Sequence, residues 1–175
     1  MKIYLGILRY STLMVLSSLL WCGCENPKPV VPDQRPPLLQ KLDGHWRMTG
    51  QVMGDSVEYA LHVQPVLNAT FSELHMVDVA NPPQYEASVF IGYDTTGKQI
   101  LAHWLDSFGP GYSIPHGAGY LSGDSIVFTI PYKDGPFRDM LVYRPGSDSW
   151  SFIIESSKDN MTWSNFAAYV LYRKN

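Results

Sequence analysis

Cysteine is nearly absent: the 175 residues hold two, Cys22 and Cys24, both close to the N-terminus. Everything after residue 24 must therefore fold without a disulfide, and it offers no thiol nucleophile. Charge is also sparse, at 17% of residues, with 13 basic against 16 acidic side chains. An acidic chain without a basic patch has no electrostatic reason to bind nucleic acid. The familiar catalytic signatures G-x-S-x-G, H-E-x-x-H and C-x-x-C do not occur. Helical periodicity is missing too, and so are internal repeats and low-complexity runs. Histidine stops early: the five are His45, His62, His75, His103 and His116.

What is present begins with a leader. Residues 1–23 carry Lys2 and Arg9, then an apolar run that ends at Trp21. The run is short for a bilayer span, and its layout is that of a secretory signal peptide. With Gly23 ahead of Cys24 it resembles the bacterial lipobox, in which the cysteine is lipidated and becomes the new N-terminus. Trp21 and Cys22 stand where leucine and a small residue are usual. The expectation is a signal peptide over 1–23, lipidation at Cys24, and a bacterial cell-envelope protein anchored to a membrane. An ordinary secretory signal, giving a secreted or periplasmic protein, and an uncleaved anchor are the other readings. Without Lys2 and Arg9, 11 basic residues face 16 acidic ones, a net charge near −5.

Residues 24–40 contain five prolines, Pro27, Pro29, Pro32, Pro36 and Pro37. That density disfavours helix and sheet and suits extended polyproline II. The segment reads as a tether outside the fold. Residues 41–175 then suffice for one domain with one core.

The pattern there is period two. In "SVEYALHVQPVL", Val57, Tyr59, Leu61 and Val63 alternate with Glu58, Ala60, His62 and Gln64. Nine further runs behave similarly, from "HWRMTGQV" to "WSNFAAYVLYR", separated by turn signals such as Asp94-Thr-Thr-Gly97 and Ser122-Gly-Asp124. Ten hairpin-linked strands in an open sheet would leave two raw edges. Closure into a single all-β, antiparallel up-and-down barrel removes both.

The two ends of the domain fit closure. Gly44-His45-Trp46 opens the first strand and Tyr172-Arg173 ends the last. A G-x-W paired with a late arginine looks like the lipocalin and calycin arrangement, where a guanidinium lies across the indole and seals one end. "IGYD", "GK" and the "W-x-DS" of Trp104–Ser107 add to it. Together these motifs make Leu42–Lys174 similar to a family of mostly uncharacterised bacterial lipocalin-like proteins. The resemblance implies a calycin-type barrel and brings no established activity. The nitrobindin-like haem barrels are more distantly similar. They use a late histidine as iron ligand, and no histidine follows His116 here. Gly50 also lies off their glycine spacing, so haem is disfavoured and no cofactor is expected.

Barrels of this size hold one small ligand, which enters at an open end. In the hairpin Gly92–Gly109, Ile100, Ala102 and Trp104 share a face with Asp106. Four roles fit that carboxylate: a turn residue binding the amides of "DSFGPG", a partner of a buried base such as Arg138, a ligand acceptor beside Trp104, or a general base. The glycines of "FGPGYSIPHGAGYL" suit either a bent strand or a portal loop carrying His116. The expected ligand-binding set is Tyr93, Trp104, Asp106 and His116, converging at one end of the barrel around a small apolar or aromatic molecule. Trp46 and Arg173 are the expected closure pair. Two other classes stay open: an extracytoplasmic enzyme using the barrel interior, and a structural or interaction lipoprotein whose interior is filled with side chains.

Overall fold

The computed structural model describes residues 32–174. A short helical turn, α1 (Pro37–Gln40), precedes ten strands: β1 (Gly44–Val52), β2 (Asp55–Val66), β3 (Phe71–Asp78), β4 (Glu86–Asp94), β5 (Gln99–Asp106), β6 (His116–Ser122), β7 (Ser125–Ile130), β8 (Phe137–Arg144), β9 (Ser149–Ser156) and β10 (Ser164–Arg173). Each strand pairs antiparallel with its neighbours in the chain, and β10 closes back onto β1. The single all-β, up-and-down barrel expected from the period-two pattern is the architecture observed, and it has no free edge.

Alternation explains which side chains fill it. In β2, Tyr59, Leu61 and Val63 are buried while Ala60 and Gln64 face out. The same phase runs round the sheet through Val89 and Ile91, Ile100 and Ala102, Phe128 and Ile130, and Phe152 and Ile154. Two-residue hairpins hold the register, as where Ser122 pairs with Ser125 and Gly123 adopts φ +55°, a region costly for residues with a Cβ.

Topology gives the barrel two different ends. The β2–β3, β4–β5, β6–β7 and β8–β9 turns lie at one end, with the start of β1 and the finish of β10. The remaining five connections lie at the other. The first end is closed. Leu39 of α1 and Leu42 after it are fully buried there, and the Trp46 Nε1–H donates to the Leu42 carbonyl at 2.7 Å. The Arg173 guanidinium lies over the Trp46 ring, 4.1 Å from its centroid. It also donates to the Asp43 carbonyl and to the Asp148 carboxylate.

The tether expected over residues 24–40 needs correcting. Residues 24–31 lie outside the described residues, but the chain has joined the fold by Arg35. That side chain is only 3% exposed, and its guanidinium donates to the carboxylates of Asp33 and Asp43 and to Ser72 Oγ. The prolines do not prevent this. Pro37 sits at the first position of a helical turn, where no N–H is needed and its fixed φ suits the helix. Leu39 and Leu42 then supply the apolar surface that docks the segment into the closed end.

Candidate ligand-binding site

At the open end the interior is not filled. A cavity of about 710 Å³ lies there. Its wall is built on strands by Trp104, Ile130, Phe137, Ile154 and Phe166. Its rim comes from Tyr85 before β4, from Phe108, Tyr112 and Ile114 between β5 and β6, and from Pro131–Gly135 between β7 and β8. Deeper in the barrel, Phe152 lies between Trp104 and Tyr169, with ring centroids 6.4 and 5.7 Å away, and Tyr59 meets Tyr85 and Tyr169 edge-on. The stack of rings divides the cavity from the packed closed half.

The β5–β6 connection shows how sequence makes the rim. Gly109, at φ +102°, turns the chain out of β5, and Pro110–Tyr112 form a single 3₁₀ turn. Phe108 and Tyr112 are exposed at the rim, and Ile114 is 80% exposed. Both readings of the glycine-rich segment apply, to different halves of it. Residues 107–115 frame the opening. Gly117 and Gly119 lie in β6, where a Cβ at Gly119 would overlap the Val127 carbonyl oxygen on β7.

Trp104 and Asp106 both line the cavity. The Trp104 Nε1–H donates to Tyr85 Oη at 3.2 Å, and that hydroxyl donates to Asp106 Oδ2 at 3.4 Å. The other carboxylate oxygen, Oδ1, accepts the Phe108 amide at 3.0 Å. Asp106 thus ends its strand as a turn residue while facing the cavity. It does not pair with Arg138, which points outward, donates to Glu155 and lies 4.3 Å from the Trp163 ring centroid.

A second carboxyl is more deeply placed. Asp139 in β8 pairs across the sheet with Phe128 on β7 and Ile154 on β9, so two apolar side chains flank it on the inner face. It is 2% exposed and lines the cavity. Its carboxyl makes no hydrogen bond and no ion pair among the described residues. Burial pushes its pKa up to about 8, since a low-dielectric wall penalises the charged form. The hydroxyl of Tyr132 is raised to about 12, and that of Tyr169 is raised further, by burial first and by nearby acidic groups second. Sequence reasoning passed over Asp139. The signal was available: it shares the inward phase of Leu141, as Asp106 shares that of Trp104.

Tyr93 and His116 are not among the lining residues, so the structure does not bring the four expected binding residues together. Tyr93 pairs with Ile100 and faces inward, but beside the β4–β5 turn, at the closed end. His116 pairs with His103, and both are exposed on the outer wall; Gly117, next along, takes the inward position. The remaining three histidines sit opposite one another on β1, β2 and β3. None of the five lines the cavity. Among the described residues no three His, Cys, Asp or Glu side chains are grouped to hold a metal ion. Cys24 lies outside the described residues.

No protein-family model matches the chain, and no curated protein does. Among solved structures, the chain is similar to the crystal structure of Rv2717c from M. tuberculosis, with a TM-score of 0.52 at 15% identity. The likeness covers 81% of this chain and 99% of that one. At such identity it shows the fold, an antiparallel barrel.

Proposed function

We propose that the protein is a lipid-anchored barrel of the bacterial cell envelope that binds one small, largely apolar molecule at its open end. The observation that carries this reading is the cavity of about 710 Å³, walled by aromatic and aliphatic side chains. That volume is within the range of small-molecule sites, and an apolar wall with a few polar groups is their usual make-up. An interior filled throughout would have favoured the structural lipoprotein. The likeness of the sequence motifs to bacterial lipocalin-like proteins bears on the barrel and not on what it binds. In this reading Trp104 supplies contact area and Asp106 is the polar group that orients the ligand, held by Tyr85 and the Phe108 amide.

Two measurements test it. A calorimetric and tryptophan-quenching screen of fatty acids, quinones, haem and small aromatics is expected to find a saturable ligand. Trp104→Ala should weaken it by about tenfold, the value of one lost aromatic contact of 1–2 kcal/mol. No saturable ligand in that panel overturns the binding reading. For the anchor, Cys24→Ala should move the protein from the membrane to the soluble fraction, because stable attachment needs the acyl chains. A variant that stays membrane-bound overturns lipidation at Cys24.

A further inference from the structure

An apolar cavity admits many molecules, and its unsatisfied polar groups narrow the choice. Asp139 is the group to explain. A carboxyl between Phe128 and Ile154, with no protein partner among the described residues, costs the fold free energy relative to an apolar side chain of similar size. Such a group calls for a reason. Asp106 is the other acid in the wall, and Asp134 stands at the rim with Lys133, so three carboxyls face one ammonium around the opening. The rings of Tyr85, Trp104, Tyr132 and Phe137 line the same space. Aromatic faces carry negative potential and attract cations.

Resting on the ligand-binding reading above, we propose that this cavity takes an organic cation: an amine or quaternary ammonium carried on an apolar or aromatic body. The ammonium sits against Asp139, the body against the rings. Such a ligand gives a partner to Asp139, a buried acid without one among the described residues, and uses the excess of acids over bases. A fatty acid or another carboxylate would bring like charge toward Asp106 and would oppose the ionisation of Asp139. With its pKa near 8, Asp139 is mostly protonated at neutral pH. A cation that pairs with the carboxylate must displace that proton to solvent. Binding of a permanently charged cation therefore strengthens as pH rises through about 8. Tyr169 from β10 and Tyr132 from the β7–β8 connection interact electrostatically with Asp139, and Lys133 and Asp134 from that connection and Asp106 from β5 line the same cavity; across the sheet β7 and β9 place Phe128 and Ile154 beside it.

The test is calorimetric titration of the purified full chain with benzyltriethylammonium. Its uncharged analogue, with carbon in place of the nitrogen, and an anion of similar size, a phenylalkyl carboxylate, are titrated alongside. The wild type should prefer the cation over the uncharged analogue by about tenfold, the scale of a desolvated cation–π and charge contact. Affinity for the cation should rise by close to a hundredfold from pH 6 to pH 9, with close to one proton released at pH 7 as read from buffers of different ionisation enthalpy. In Asp139→Asn the pH dependence and the proton release should vanish and the cation should lose its advantage, with binding of the uncharged analogue kept. Equal or tighter binding of the uncharged analogue or the anion by the wild type overturns the cation proposal and leaves the apolar-ligand reading standing. A pH dependence that persists in Asp139→Asn overturns the role of Asp139. Failure of all three probes to bind counts against the cation proposal and the ligand-binding reading together. The wild-type pH series stands without the variant, and a melting curve of Asp139→Asn confirms that it is folded.

Discussion

A carboxyl flanked by Phe128 and Ile154 keeps its proton to a higher pH than one in water, and stability must follow. Its pKa rises from 3.8 to about 8 on folding. Between those values the native state holds a proton that the unfolded chain has released. The stability from that proton is full below about pH 4 and is lost as pH rises through 8. Asparagine has the same shape and no charge to bury. Asp139→Asn is therefore expected to raise the melting temperature at pH 8 and to leave it close to wild type at pH 4, read by thermal denaturation at both values. A variant that melts lower at pH 8 would mean that the carboxylate has a favourable partner. The two cavity acids differed in legibility for a local reason. Asp106 ends a strand beside a glycine-rich exit, so a turn role and a cavity role are both visible in "LDSFGPG". Asp139 follows Arg138, and of that pair the sequence reading weighed only the arginine, as a buried partner for Asp106. Phase alone separates them: Arg138 faces out to Glu155 while Asp139 faces in with Leu141.

At the scale of elements, the ten strands were readable because each carries its own alternation and its own turn. The start of the domain was not, because proline count masked a short apolar motif. Leu39 and Leu42 are spaced three apart around a single helical turn, too short for any periodicity to register. Yet they fill the closed end, and Arg35 ties the segment to Ser72 on β3. Leu39→Ala should cost about 2–4 kcal/mol, as for other fully buried leucines whose cavity cannot collapse. A chain beginning at residue 41 should lose more than this, since it also leaves Asp43 and Ser72 without the guanidinium that bridges them. Urea unfolding of both against a chain beginning at residue 32 measures the difference. Equal midpoints would place the boundary of the domain at residue 41 after all.

For the whole molecule, closure fixes more than the absence of edges. Once the start of β1 and the finish of β10 share an end with Trp46 and Arg173, the parity of the hairpins assigns every other strand terminus. The finish of β5 must then lie at the mouth, with Asp106, and the finish of β4 at the plug, with Tyr93. Alternation reports the face a side chain takes, and only this parity reports the end. Tyr93 and Trp104 share a face and two adjacent strands, yet they serve opposite ends for that reason. The same geometry separates stability from binding. Arg173→Ala removes the guanidinium from the Trp46 face and its bonds to Asp43 and Asp148, and should cost roughly 1–2 kcal/mol with ligand affinity unchanged. Ile114→Ser alters an exposed rim residue and should shift stability by less than about 0.5 kcal/mol while weakening an apolar ligand. The two sites share no partner and lie at opposite ends of the barrel, so the double variant should lose the sum of the single losses to within about 0.5 kcal/mol. Denaturant midpoints and calorimetric affinities of the four proteins decide the matter. A larger coupling in stability, or a fall in affinity from Arg173→Ala alone, would mean that the Trp104–Phe152–Tyr169 stack transmits strain from the plug to the mouth rather than insulating one from the other.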